Sequence, residues 1–119
     1  MNFAKYFTKY EIVYGSVQSI TPTAIYCFDS SNNKVAILTF YPDSDEVPQD
    51  TIFIGTTPIQ NFLNINFHRK ELPGVYEVFL NERPLLVSAN YENFGAIGFF
   101  PASESFFASK FEPIGEQEP

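Results

Sequence analysis

The sequence predicts a mainly β domain: an antiparallel β-barrel or sandwich of about seven to eight short strands joined as a hairpin meander. Three observations carry that expectation. Apolar and polar residues alternate strictly over short runs, as in Leu63-Asn64-Ile65-Asn66-Phe67-His68, the period of a half-exposed strand. Turn-forming clusters break those runs at hairpin spacing, at Asp29 to Asn33, at Pro73-Gly74 and at Glu92-Asn93. Between the runs there is no helical pattern of roughly 10–15 residues, which a parallel α/β sheet needs for its crossovers.

The elements follow in chain order. Phe3, Tyr6, Phe7 and Tyr10 fall at i, i+3, i+4 and i+7, so the spacing predicts a short N-terminal helix with Asn2 as its cap. From Tyr10 the period changes to two, with Gly15 expected at a bulge, Val17 continuing the strand and Thr21-Pro22 as punctuation. Ala24 to Phe28 and Lys34 to Tyr41 form the first predicted hairpin. Val35 to Leu38 is apolar without a break, which places that strand at the centre of the sheet. Residues 42–50, with two prolines and four carboxylates, make a surface loop.

Thr51 to Ile54 is a short strand, and Thr57-Pro58 starts a single helical turn. Leu63 to His68 is the next strand. Leu72-Pro73-Gly74-Val75 reads as a type II turn leading into a strand from Val75 to Leu80. Asn81 to Pro84 turns the chain into Leu85 to Tyr91, and a further strand spans Phe94 to Phe100. Phe106, Phe107, Lys110 and Phe111 fit a last short helix after Ser103, with an edge strand as the alternative. The domain is expected to cover 1–111, with 112–119 a flexible acidic tail.

Composition bounds the function classes. Seven basic against fourteen acidic residues give a net charge of −7, which repels phosphate backbones and anionic bilayers. No nucleic acid and no membrane are therefore expected as partners. The early lysines rule out an apolar signal sequence, and a lone cysteine fits a reducing compartment, so the expected location is cytoplasmic. Fourteen Phe and seven Tyr are a marked aromatic surplus. Tyr76, Phe79, Tyr91, Phe94 and Phe99 would serve as an oligonucleotide stacking face, but the charge favours core packing for them.

Catalytic signals fail one by one. His68, the single histidine, falls with the asparagines on the polar side of its strand, without partners for a triad or a zinc site. Cys27 lies in an apolar run and reads as a buried thiol. Asp43-Ser44-Asp45 opens like a calcium loop, yet Pro48 stands where such a loop requires glycine. No phosphate-binding glycine loop and no nucleophile elbow occur. No metal or other cofactor is expected.

The function expected is that of a non-enzymatic protein-interaction module, an adaptor, assembly subunit or small inhibitor acting through an acidic and aromatic surface on another, basic protein. Asp43, Asp45, Glu46 and Asp50 are the candidate contact residues, because loops held by a rigid sheet carry function. A barrel binding a small hydrophobic ligand, and an enzyme built on carboxylates or Cys27, are the alternatives. A homodimer is a further expectation, since an open meander leaves edges to pair.

Overall fold

The computed structural model describes residues 1–14, 23–81 and 85–109. The expectations for Gly15, Val17, Thr21-Pro22, the turn at residues 82–84, Lys110, Phe111 and the tail 112–119 lie outside the described residues. Eight strands appear in chain order: β1 Asn2–Phe7, β2 Lys9–Val13, β3 Thr23–Phe28, β4 Lys34–Tyr41, β5 Thr51–Ile54, β6 Phe62–His68, β7 Leu85–Tyr91 and β8 Gly98–Ser109. One helix, α1 Leu72–Asn81, follows a 3-10 turn at Arg69–Glu71, and a second such turn spans Pro58–Gln60, where Thr57-Pro58 predicts it. No helix among the described residues is long and apolar enough to cross a membrane.

The protein is mainly β, as its alternation dictates. The strands form one sheet in the order β1-β7-β8-β5-β6-β4-β3-β2. Its two edges, β1 and β2, are separated in the chain by Thr8 alone, so the sheet curls until it nearly closes into a barrel. Lys5 on β1 donates from Nζ to the carbonyls of Pro58 (2.8 Å) and Asn61 (2.9 Å), tying the β1 edge to the turn ahead of β6.

The sheet is mixed, which corrects the all-antiparallel meander. β4 and β6 run parallel, while the other pairs are antiparallel. Parallel neighbours need a crossover of a dozen or more residues. Here the acidic loop, β5 and the Pro58–Gln60 turn supply it, because β5 lies beyond β6 and pairs with both β6 and β8.

The first hairpin forms as expected. Asn32 N–H bonds Asp29 O (3.0 Å), and Asn32 takes the left-handed conformation at φ 67°, a type I turn followed by an αL residue. Asp29 Oδ1 accepts from the N–H groups of Ser31 and Asn33, both at 2.9 Å.

Three elements differ from their sequence reading. Residues 2–7 are strand rather than helix, because pairing with β7 outweighs a two-turn helix that is marginal in water. Phe3 and Phe7 go inward while Tyr6 is 51% exposed, so the four aromatics never share a stripe. Lys5, on the inward parity, had hidden the alternation.

Residues 72–81 are helix rather than turn and strand. Val75 and Phe79, at i and i+4, are buried, whereas Glu77 between them is exposed. Proline in the first turn gives up an N–H that has no intrahelical partner. The β-branched composition is overridden by docking of the apolar face.

Finally, β8 continues to Ser109 where a terminal helix was favoured, and it begins at Gly98 rather than Phe94. Phe106 is exposed while Phe107 packs on the core, the alternation of a strand.

Rings join the barrel to the helix. Phe40 stacks on Phe67 (5.1 Å between centroids), Phe67 meets Phe107 (6.4 Å), and Phe107 meets Phe79 (5.5 Å). Phe79 also contacts Phe7 (5.5 Å) and Tyr10 (5.0 Å). One helical side chain thus ties together β1, β2 and β8. Around this chain Ile25, Cys27, Leu38, Ile52, Leu63, Leu85 and Val87 have no solvent contact.

Candidate functional site

The acidic loop lies along the end of β6, held by hydrogen bonds that the sequence pattern does not reveal. Asn66 is the main anchor. Its N–H donates to Asp50 Oδ1 (2.8 Å), and its Nδ2 donates to the carbonyls of Pro48 and Gln49 (both 3.2 Å). Lys70 N–H donates to Asp43 Oδ1 (2.8 Å), and His68 Nε2 lies 3.1 Å from Asp45 O. His68 therefore sits on the polar side of its strand, as its register predicts, and holds a loop carbonyl there.

The four candidate acids divide into two pairs. Asp43 and Asp50 place their carboxylates on backbone N–H groups of the fold. Burial raises the Asp50 carboxyl above its ordinary value of 3.8, with the Asn66 N–H opposing that rise. Asp45 and Glu46 are exposed, and no described residue takes up either carboxylate. Two charges are thus presented to solvent by a loop whose backbone is fixed.

Next to the end of this loop lies an open groove of about 770 Å³, lined by Tyr91, Phe94, Phe100, Pro101, Gln49 and Glu92 among others. Ala102 N–H bonds Asp50 O (2.9 Å), which joins the loop to the β8 side of the groove. Phe94 is 87% exposed. Its turn is nevertheless ordered: Asn93 Oδ1 accepts from Gly95 N–H (2.6 Å) and Ala96 N–H (3.1 Å), with Gly95 at φ 87°. Such an Asx turn holds a short loop in shape.

A bulge shapes the far side. The register passes from Ser88–Phe106 to Asn90–Ser103, so β8 carries one extra residue, and Glu104 takes φ 52°. Asn90 Nδ2 donates to Glu104 Oε1 at 2.6 Å. Bulges of this kind re-aim side chains at strand ends.

Among the described residues Glu92 is the one acidic side chain lining the groove and no lysine or arginine lines it, while the Met1 ammonium, also in the lining, donates to Tyr91 O (2.7 Å). Cys27 is fully enclosed, and burial pushes its thiol well above the ordinary range, so no thiolate forms at neutral pH. Among the described residues no group of three or more His, Cys, Asp or Glu is placed to hold a metal. The groove thus presents an exposed apolar ring, Phe94, beside one carboxylate, Glu92.

Phe94 and Phe99 are the aromatics that sequence reasoning misplaced. Of the five strand aromatics assigned to the core, Phe79 lies in it, Tyr76 and Tyr91 pack against it, and Phe94 and Phe99 are exposed. The signal that marks Phe94 is local, an aromatic residue between Asn93 and Gly95 in a turn. The chain matches no known protein family, no characterised protein and no solved structure in comparison.

Proposed function

We propose that this protein is a non-enzymatic protein-interaction module, docking a basic segment of another protein through the groove beside the acidic loop. The observation that carries this reading is Phe94, a large apolar ring 87% exposed on an ordered turn. Exposing that ring to water is unfavourable by about 2 kcal/mol, and docking removes the penalty without further ordering of the loop. Aromatic anchors dominate binding energy at interfaces. Glu92 lines the groove, and Asp45 and Glu46 are exposed on the loop whose Gln49 also lines it; their negative charge would steer a basic partner.

The barrel interior, filled by Phe7, Phe40 and Phe79 with no solvent contact beyond 2%, favours this reading over a ligand held within the barrel. The acidic character and the absence of phosphate-binding chemistry fit a cytoplasmic protein partner. The test is affinity capture by the tagged full chain, compared with Phe94→Ser and with the Asp45→Asn/Glu46→Gln double variant. The same partner should be retained by wild type, lost with Phe94→Ser, and weakened about three- to tenfold by the double variant and by raising salt from 50 to 300 mM. Equal capture by all three proteins would reject the groove.

A further inference from the structure

The outer surface of the sheet carries one row of side chains that changes character from end to end. It runs Phe99 on β8, Phe53 on β5, Phe62 on β6, Lys34 on β4, Phe28 on β3 and Lys9 on β2. Residues that alternate with it along the strands, Cys27, Ile52 and Leu63, are wholly buried, so the row faces outward. Phe53 meets Phe99 (5.1 Å between centroids) and Phe62 (5.3 Å), and Lys34 Nζ lies 4.6 Å from the centroid of the Phe62 ring. Three rings and an ammonium are therefore continuous across four strands.

The row begins at the groove. Phe99 is 61% exposed and is followed by Phe100 and Pro101, which line the groove together with Glu92. Glu92 comes directly after Tyr91, which pairs with Ala102 in the register of β7 and β8, so a negative charge stands at the groove end. Lys34 and Lys9, both exposed, stand at the other end. Two acids lie near those lysines without entering the row. Asp29 places its carboxylate on the N–H groups of Ser31 and Asn33, and Glu11 is opposite Tyr26, one row away. The row itself carries no carboxylate.

Resting on the groove reading, we infer that the partner's docking segment leaves the groove and runs along this row in extended form. The segment is basic where it meets Glu92, apolar over Phe99, Phe53 and Phe62, and acidic where it reaches Lys34. Charge complementarity selects that order. A segment basic throughout would meet Lys34 and Lys9 with like charge, and one acidic throughout would meet Glu92 the same way. The span sets the length. Three strand spacings separate β8 from β4 and one more separates β7 from β8, roughly 19 Å in all, which about six extended residues cover. The width selects an extended chain. The next row on β5 and β6 is polar, Thr51 and Asn64, with Asn64 Nδ2 donating to Thr51 Oγ1 (3.1 Å), and a helix about 10 Å across would have to cover it as well as the rings.

The experiment is fluorescence anisotropy of three labelled eight-residue probes titrated with the full chain. The first probe has two basic, four aliphatic and two acidic residues in that order. The second is basic at both ends, and the third carries serine and glycine in place of the aliphatic residues. Wild type should bind the first about threefold more tightly than the second and about tenfold more tightly than the third. Lys34→Glu should invert the preference between the first two, and Phe99→Ser should weaken both about fivefold, with melting temperatures showing that both variants fold. Phe94→Ser separates this inference from the reading beneath it. If it weakens the probes while Lys34→Glu and Phe99→Ser do not, the groove stands and the row is overturned. If the row variants act and Phe94→Ser does not, the row binds without the groove, and the groove reading is what fails. A wild-type preference for the doubly basic probe, or no binding of any probe up to about 1 mM protein, overturns the inference. An isotherm that turns down at high protein concentration assigns the row to a second copy and overturns it too.

Discussion

Gly74 separates the helix from the turn that its neighbours imitate, and substituting alanine there should change stability in opposite directions in the two cases. In the structure Gly74 is the third residue of α1, exposed, and a Cβ built on it meets nothing within 4 Å. Alanine exceeds glycine in helix interiors by about 0.8–1.0 kcal/mol. Nearness to the helix start reduces the gain, leaving about 0.5–1 kcal/mol. For a chain of this length, unfolding entropy converts 1 kcal/mol into about 4 °C, so Gly74→Ala should melt about 2–4 °C above wild type. A type II turn would instead hold Gly74 at positive φ, where alanine is disfavoured by about 1–2 kcal/mol, a fall of similar or larger size. Gly95 is the internal control: it too has nothing within 4 Å of an added Cβ, but its φ is 87°, so Gly95→Ala should fall by about 4–8 °C. Differential scanning calorimetry of the three proteins reads both signs. If Gly74→Ala and Gly95→Ala both destabilise, the helix argument fails.

Other substitutions test the remaining structure. Phe79→Ala empties the junction of the ring chain and should remove about 3–5 kcal/mol, measurable by urea denaturation, whereas its 59%-exposed neighbour in Leu80→Ala should stay within about 0.5 kcal/mol of wild type. Equal losses at the two positions would contradict the docking of α1. Asp50 has its folded-state value raised by burial, so the wild type gains stability as pH falls through that value toward 3.8, and its charged form is a small burden at neutral pH. Asp50→Asn, which keeps an acceptor for Asn66 N–H, should melt about 1–2 °C higher at pH 7, the half-exposed site screening the effect, and the gap should close on approach to pH 4. A gap that widens with acid would reverse the sign of the argument. Asp29→Ala should remove about 1 kcal/mol by freeing the hairpin N–H groups of Ser31 and Asn33. Because those bonds lower the Asp29 carboxyl below its ordinary value, that contribution is present above about pH 3.8 and fades as the wild type is acidified further.

The legible part of the fold is what local period encodes. β6 reads directly from its alternation and the first hairpin from its turn chemistry, because both agree with the tertiary pairing, whereas the unbroken apolar run of β4 points to a central strand and β4 stands third from the β2 edge. The misread parts are places where two periods fit the same residues. Phe3, Tyr6, Phe7 and Tyr10 satisfy a helix by spacing, and only β7, more than seventy residues away in sequence, decides for strand. Val75 to Leu80 has strand composition, yet Phe79 packs on the rings of Phe7 and Phe107 and Val75, one turn earlier, is buried with it. The parallel β4–β6 pair depends on where β5 inserts, which no local pattern contains.

At the candidate site, the acidic loop was visible by composition, but its division into fold-bound Asp43 and Asp50 and solvent-facing Asp45 and Glu46 was not. That division depends on Asn66, His68 and Lys70, which are remote in sequence from the loop. Phe94 was hidden for the opposite reason. Large apolar residues are buried by default, and this one stands outside, on the Asx turn of Asn93.

The proposed docking surface is tested most directly by position-specific photocrosslinking in cells, with a photoreactive phenylalanine analogue at position 94 or at position 80. Both sites are well exposed, at 87% and 59%, but only the first belongs to the groove. The account predicts one discrete heterologous adduct from position 94, weakened when Asp45→Asn and Glu46→Gln are added, and none from position 80. Absence of any adduct at 94, or the same adducts from both positions, would contradict it.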